Sequence, residues 1–159
     1  MLKITESKEK TMAIRKILTE GDRTLRLHSR PVREVTPHIC ELLDDMAQTM
    51  RKADGCGLAA PQVGVLRRVV VVETEPGELY ELINPELIYQ EGEQKEIEGC
   101  LSIPGKQGIT TRPQKVRVRA VGRDGKLHEY EGEGLLARAF CHEIDHLDGI
   151  LFIDHATLL

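Results

Sequence analysis

The chain has 159 residues, 40% of them hydrophobic and 30% charged, with a formal net charge of −4 at pH 7. That length suits one compact domain, since domains commonly run about 100 to 150 residues, and no uninterrupted run of about 18 apolar residues is there to cross a bilayer. The acidic balance excludes a broad attraction to phosphate backbones; "RPQKVRVRA" is a local basic run, but it reads as a strand with one solvated charged face, so neither nucleic acid nor membrane is an expected partner.

Residues 1–11 carry charges of both signs and no apolar stretch, and read as a flexible N-terminal tail. No repeat or low-complexity block divides the chain, so a single domain is expected over residues 1–159. The first periodic element is "TPHICELLDDMAQTMRKADG", in which Ile39, Leu42, Leu43, Met46 and Met50 form one helical stripe. Thr36 is its predicted cap, Pro37 its first helical residue and Gly55 its closing residue. "VLRRVVVVETE" then reads as a buried strand, because its valines are β-branched and too few to span a membrane. "LYELINPELIYQ" reads as strand interrupted at Asn84-Pro85.

"KVRVRAVGRDGKLHEYEGEG" predicts a hairpin turning at Asp124-Gly125. The last long element, "LLARAFCHEIDHL", predicts a helix closed by Gly149 in the left-handed conformation. Leu136, Phe140, Ile144 and Leu147 make one apolar stripe on it, while Leu135, Ala139, His142 and His146 make a neighbouring stripe that turns polar towards its end. Helix, strands and helix in this order predict an α+β fold.

His142 and His146 lie four apart, on one face of that helix, where two imidazoles can meet one metal ion. Glu143 points roughly 100° away around the axis, a poorer ligand but a candidate general base for an attacking water. A catalytic site of this kind needs a third protein ligand. In the zinc-protease pattern H-E-x-x-H-x-x-G-x-x-H the last histidine would fall on Phe152. Another protease class uses a glutamate about 20 or more residues downstream, but 13 residues follow His146 and none is Glu. Asp154 and His155 look like the polar end of a short terminal strand, so the ligand is expected upstream.

Cysteine is the strongest candidate type, its thiolate binding zinc and iron well. The four cysteines, Cys40, Cys56, Cys100 and Cys141, form no C-x-x-C pair and follow no signal sequence. Disulfides are therefore not expected, and a reducing cytoplasm is the default location. Cys40 and Cys141 read as structural, the latter pointing away from any ion held by its neighbour. Cys56 in "GCGLAAPQVG" and Cys100 in "EGCLSIPG" both sit by glycines that let backbone approach closely, and chemistry alone does not choose between them.

The segments "GCGLAAPQVG" (55–64), "EGCLSIPG" (98–105) and "HEIDH" (142–146), in this order and spacing, together resemble the peptide deformylases, metal hydrolases that remove the formyl group from nascent bacterial proteins. The likeness runs from about Ile14 to Asp154. It implies Cys100, His142 and His146 as metal ligands, with Cys56 at a variable position, and one divalent ion, ferrous iron as the usual choice with zinc, nickel or cobalt able to replace it. It implies Glu143 as the acid–base residue, Gln62 and the Leu101 N–H as donors to the developing oxyanion, and Gly57 as a place where the substrate backbone can lie.

The implied partners are N-formylmethionyl nascent peptides and, transiently, the ribosome; a monomer is expected. Three departures stand out: Arg23 where a proline often follows the aspartate, Gln107 where relatives often carry Arg or an aromatic residue, and a chain that ends at "FIDHATLL" without the C-terminal helix of many bacterial relatives, so that ribosome docking would be weaker or different. A catalytically silent deformylase-like metal-binding protein and a zinc endopeptidase are the competing readings.

Overall fold

The computed structural model describes residues 13–159; the tail expected over 1–11 lies outside them. Helix α1 spans Pro37–Lys52, begins at Thr36, whose hydroxyl accepts from the Ile39 N–H, and has Pro37 in its first turn. Its stripe of Leu42, Leu43, Met46 and Met50 is buried. Gly55 donates its N–H to the Met50 carbonyl, as a closing residue should, but the left-handed conformation belongs to Asp54 at φ 61°. The glycine is needed for another reason, given below. On the same helix Asp45 and Thr49 are buried and accept from the Ala13 and Arg15 backbone N–H groups.

Among the described residues, eight strands form two antiparallel sheets. The five-stranded sheet joins β1 (Gly57–Ala59), β2 (Val69–Val72), β3 (Tyr80–Glu91), β6 (Lys115–Val121) and β7 (Leu127–Glu133) in the order β1-β2-β3-β6-β7. The three-stranded sheet joins β4 (Gln94–Glu98), β5 (Gly108–Arg112) and β8 (Thr157–Leu158) in the order β4-β5-β8. Strand β2 explains the run of valines: successive side chains alternate faces, Val69 and Val71 packing with α1 and Val70 and Val72 with the other helix. All four are fully buried.

The second helix, α2 (Leu135–Leu147), covers the opposite face of the five-stranded sheet through Phe140 and Leu147. Tyr80 meets the Tyr130 and Phe140 rings edge-on at 5.2 and 5.3 Å, and truncating a buried ring such as Phe140 to Ala costs about 3 to 5 kcal/mol. Gly149, at φ 74°, ends the helix as expected; a Cβ there would lie 2.5 Å from the Arg26 carbonyl oxygen. Just beside it Ser29 donates its backbone N–H, and Arg68 its guanidinium, to the Leu147 carbonyl at 2.8 and 3.1 Å. The otherwise orphaned end of the helix is thus clasped.

Three expectations change. Asn84-Pro85 does not interrupt β3: Asn84 takes φ 52°, the register shifts there, and its side-chain amide exchanges two 2.8 Å hydrogen bonds with the Val32 backbone, so a bulge replaces a break. Asp154 belongs to a short 3₁₀ turn that precedes β8, held by Arg26 at 2.7 and 3.0 Å. Within "RPQKVRVRA", residues 115–120 alternate as expected, but Arg112 is 6% exposed and points inward.

Candidate metal centre

Helix α2 brings His142 and His146 together with ring centroids 5.0 Å apart, and the turn after β4 carries Cys100 to them. Cys100 Sγ lies 3.4 Å from His146 Nε2, and the ligand atoms of Cys100, His142 and His146 all fall within 4.8 Å of one another. One thiolate and two imidazoles at such spacing fit a single divalent ion. Cys56 is exposed in the adjoining cleft and Cys141 is buried away from the cluster. Asp154 is taken by Arg26, and His155 faces Asp145 at 3.7 Å.

The orientation of His142 is fixed from behind. Glu98 accepts from its Nδ1 at 2.8 Å, which leaves Nε2 for the cluster, the arrangement in which a carboxylate orients a metal-binding imidazole. Glu98 in turn accepts from Arg112 Nη2 at 2.7 Å and from the Thr110 hydroxyl at 2.8 Å, and Arg112 reaches on to Asp145 at 2.7 Å. Burial works against a charged Glu98, yet the bonds from His142 and Arg112 outweigh it and hold the carboxyl well below its ordinary range. Burial alone would lower the pKa of both histidines. It does so for His146, aided by His142, whereas the charge of Glu143 and the bonds to Cys100 and Glu98 raise that of His142.

Glu143 is 5% exposed, and its Oε1 is buried without a hydrogen-bond partner among the described residues. Burial pushes its carboxyl up to about 7, into the range that suits a group both taking and giving protons near neutrality. The resemblance implies that Gly57 makes room for the substrate. The geometry gives that space first to Glu143, because a Cβ on Gly57 would stand 2.5 Å from Glu143 Oε2. Gly55 clears Leu101 in the same way, at 2.6 Å from Cδ1. The two glycines of G-C-G thus accommodate two different parts of the centre.

Gln62 is 1% exposed and aligned at both ends of its amide. Its Oε1 accepts from the Ala59 N–H at 2.9 Å, while its Nε2 donates to Ser102 Oγ at 3.0 Å and leans on Cys100 Sγ at 3.7 Å. The second N–H is therefore aimed at the ligand cluster. Leu101 follows Cys100 in the turn, and its backbone N–H has no acceptor among the described residues. Donors at these two places are fixed before any charge develops, as oxyanion stabilisation requires.

The cluster opens into a cleft of about 640 Å³ between the end of β4, the loop before β1 and one face of α2. Gln107 does not line it. Sequence reasoning passed over Glu98, Ser102, Thr110 and Arg112. The signal for the first was present, a carboxylate two residues before a candidate ligand cysteine; Arg112 was hidden in a basic run that otherwise faces solvent.

The polypeptide deformylase family profile matches residues 14–159. The peptide deformylase of Thermoanaerobacter pseudethanolicus is 59% identical over 145 residues, covering 91% of each chain. Among solved structures, a peptide deformylase from Legionella pneumophila superposes with a TM-score of 0.87 at 45% identity, over 90% of this chain and 86% of that one. The peptide deformylase from Thermotoga maritima does so with 0.86 at 36% identity, over 89% and 97%. With a profile match over nearly the whole described chain and relatives at this identity, the chain belongs to the polypeptide deformylase family.

Proposed function

We propose that Cys100, His142 and His146 hold one divalent metal ion and that Glu143 moves the proton in hydrolysis of a terminal formamide. The chain is a metal-dependent hydrolase that removes the formyl group from the N-terminal formyl-methionine of nascent polypeptides, releasing formate. The observation that carries the residue assignment is a buried carboxylate, Glu143, whose Oε1 has no hydrogen-bond partner among the described residues, beside a Cys/His/His cluster. Bound in that cluster, the ion supplies Lewis acidity that makes water a nucleophile at neutral pH. Ferrous iron is our reading of the physiological ion, and zinc, nickel and cobalt suit the same donor set.

Glu143 takes a proton from the attacking water as oxygen bonds to the formyl carbon. The Gln62 side chain and the Leu101 N–H donate to the formyl oxygen as it gains charge. Glu143 then returns the proton to the amine nitrogen as the carbon–nitrogen bond breaks. Formate and a free N-terminus are the products. Among the described residues no helix is long and apolar enough to cross a membrane. We read the chain as one domain acting as a cytoplasmic monomer with transient contact to the ribosome.

The test is formate release from formyl-Met-Ala-Ser by protein purified without oxygen and loaded with iron. Glu143→Ala should retain the metal and lose about 10²- to 10⁴-fold in kcat. No formate from metal-replete protein overturns the assignment, and cleavage of an internal peptide bond instead makes the chain an endopeptidase.

A further inference from the structure

Arg138 lies on α2 one turn before His142 and lines the cleft. Its Nη1 donates to the Ile97 carbonyl at 3.3 Å, and its Nε is buried without an acceptor among the described residues. The other cleft arginine, Arg51, is bound to Glu73 by two 2.9 Å hydrogen bonds. Of the cleft carboxylates, Glu73 is held by Arg51, Glu98 by Arg112, and Glu143 stands beside the ligand cluster. Asp54 is exposed at the end of α1. Arg138 thus has no carboxylate within ion-pair distance among the described residues. Ile97 and Leu135 flank it, 52% and 46% exposed.

Its place along the cleft sets what it can meet. A helical turn rises about 5.4 Å and an extended peptide advances about 3.3 Å per residue. A peptide with its formyl group at the Cys100, His142 and His146 cluster and its chain laid along α2 towards Leu135 would bring its second or third residue beside this guanidinium. A planar guanidinium with free donors pairs best with a carboxylate and repels an ammonium.

We infer that Arg138 is a specificity-determining residue, selecting formyl-peptides with a carboxylate side chain at the second or third position over those with an ammonium there. The inference rests on the deformylase reading and adds a preference that the chemistry of formyl removal does not require. The binding gain falls in substrate capture, so the difference belongs to KM more than to kcat.

The experiment measures kcat/KM on formyl-Met-Ala-Ser and on the four peptides that place Glu or Lys at the second or the third position. Wild type should favour Glu over Lys at one of these positions by about five- to tenfold, less so in about 0.5 M salt, where such charges are screened. Arg138→Leu should bring that ratio close to one, and Arg138→Lys should retain part of it. Equal rates for Glu and Lys peptides in wild type overturn the inference, as does a ratio that survives Arg138→Leu. Failure of the neutral peptide to release formate instead overturns the deformylase reading, so the two failures are told apart.

Discussion

Two short segments meet at the centre, 55–64 and 98–105, and each contains a cysteine next to glycine. The second supplies groups: Cys100 to the ligand cluster, the Leu101 N–H beside it, Ser102 to Gln62, and Glu98 to His142. The first supplies mainly clearance, Gly55 for Leu101 and Gly57 for Glu143, together with one aligned donor in Gln62. Cys56 lies between those two glycines, exposed in the cleft. A glycine beside a cysteine therefore does not mark the thiol that joins the cluster: Gly55 and Gly57 clear other groups around Cys56, while Gly99 beside Cys100 clears none.

The sharpest way to break this contrast is to exchange the cysteines' fates. Cys100→Ala should abolish metal retention and reduce formate release by about a thousandfold or more, as loss of an essential centre does, while Cys56→Ala keeps metal content and activity near wild type. Metal analysis showing the reverse would reassign the ligand. The glycines give a second test. Gly57→Ala should lower kcat about a hundredfold with metal retained, because displacing a catalytic group by about 1 Å costs on that order. Gly99→Ala should change kcat by about twofold, since a Cβ there meets nothing nearer than the Lys106 carbonyl at 3.7 Å. Equal losses from the two would show that clearance does not belong to the first segment. A smaller loss than that of Gly57→Ala is expected from Ser102→Ala, which removes one hydrogen bond to Gln62 and should reduce kcat about fivefold, with KM little changed.

Most of the larger elements were legible in the sequence, because an apolar stripe or alternation marks them. The stripe of α1, the valine run of β2, the β6–β7 hairpin and the closing Gly149 all behave as their periodicity requires. The three-stranded sheet was not legible, and its pattern explains why. In β5 the buried residues are Gly108, Thr110 and Arg112 while Ile109 is 38% exposed; in β4 Glu98 is buried and Ile97 is 52% exposed. This sheet turns a polar face inward, towards His142 and Asp145, and an apolar-in rule reads it inside out.

The same reversal hid Glu98 and Arg112, whereas His142 and His146 stood out because two imidazoles four apart on a helix are a restricted pattern, and Cys100 was separated from Cys56 by the family resemblance alone. Asn84 misled for a simpler reason: a dipeptide that ends strands elsewhere is held here by a side-chain clasp on Val32.

The fastening of residues 26–29 to the end of α2 bears on the order in which the molecule assembles. It closes a loop of most of the described chain, and the meeting of Cys100 with His146 closes another. The entropy of such closures is incurred before either contact returns anything, which makes long-range pairings slow and late. A cation that recognises only the finished Cys/His/His cluster then acts as a proofreader, stabilising chains whose distant parts have already met and ignoring those whose parts have not.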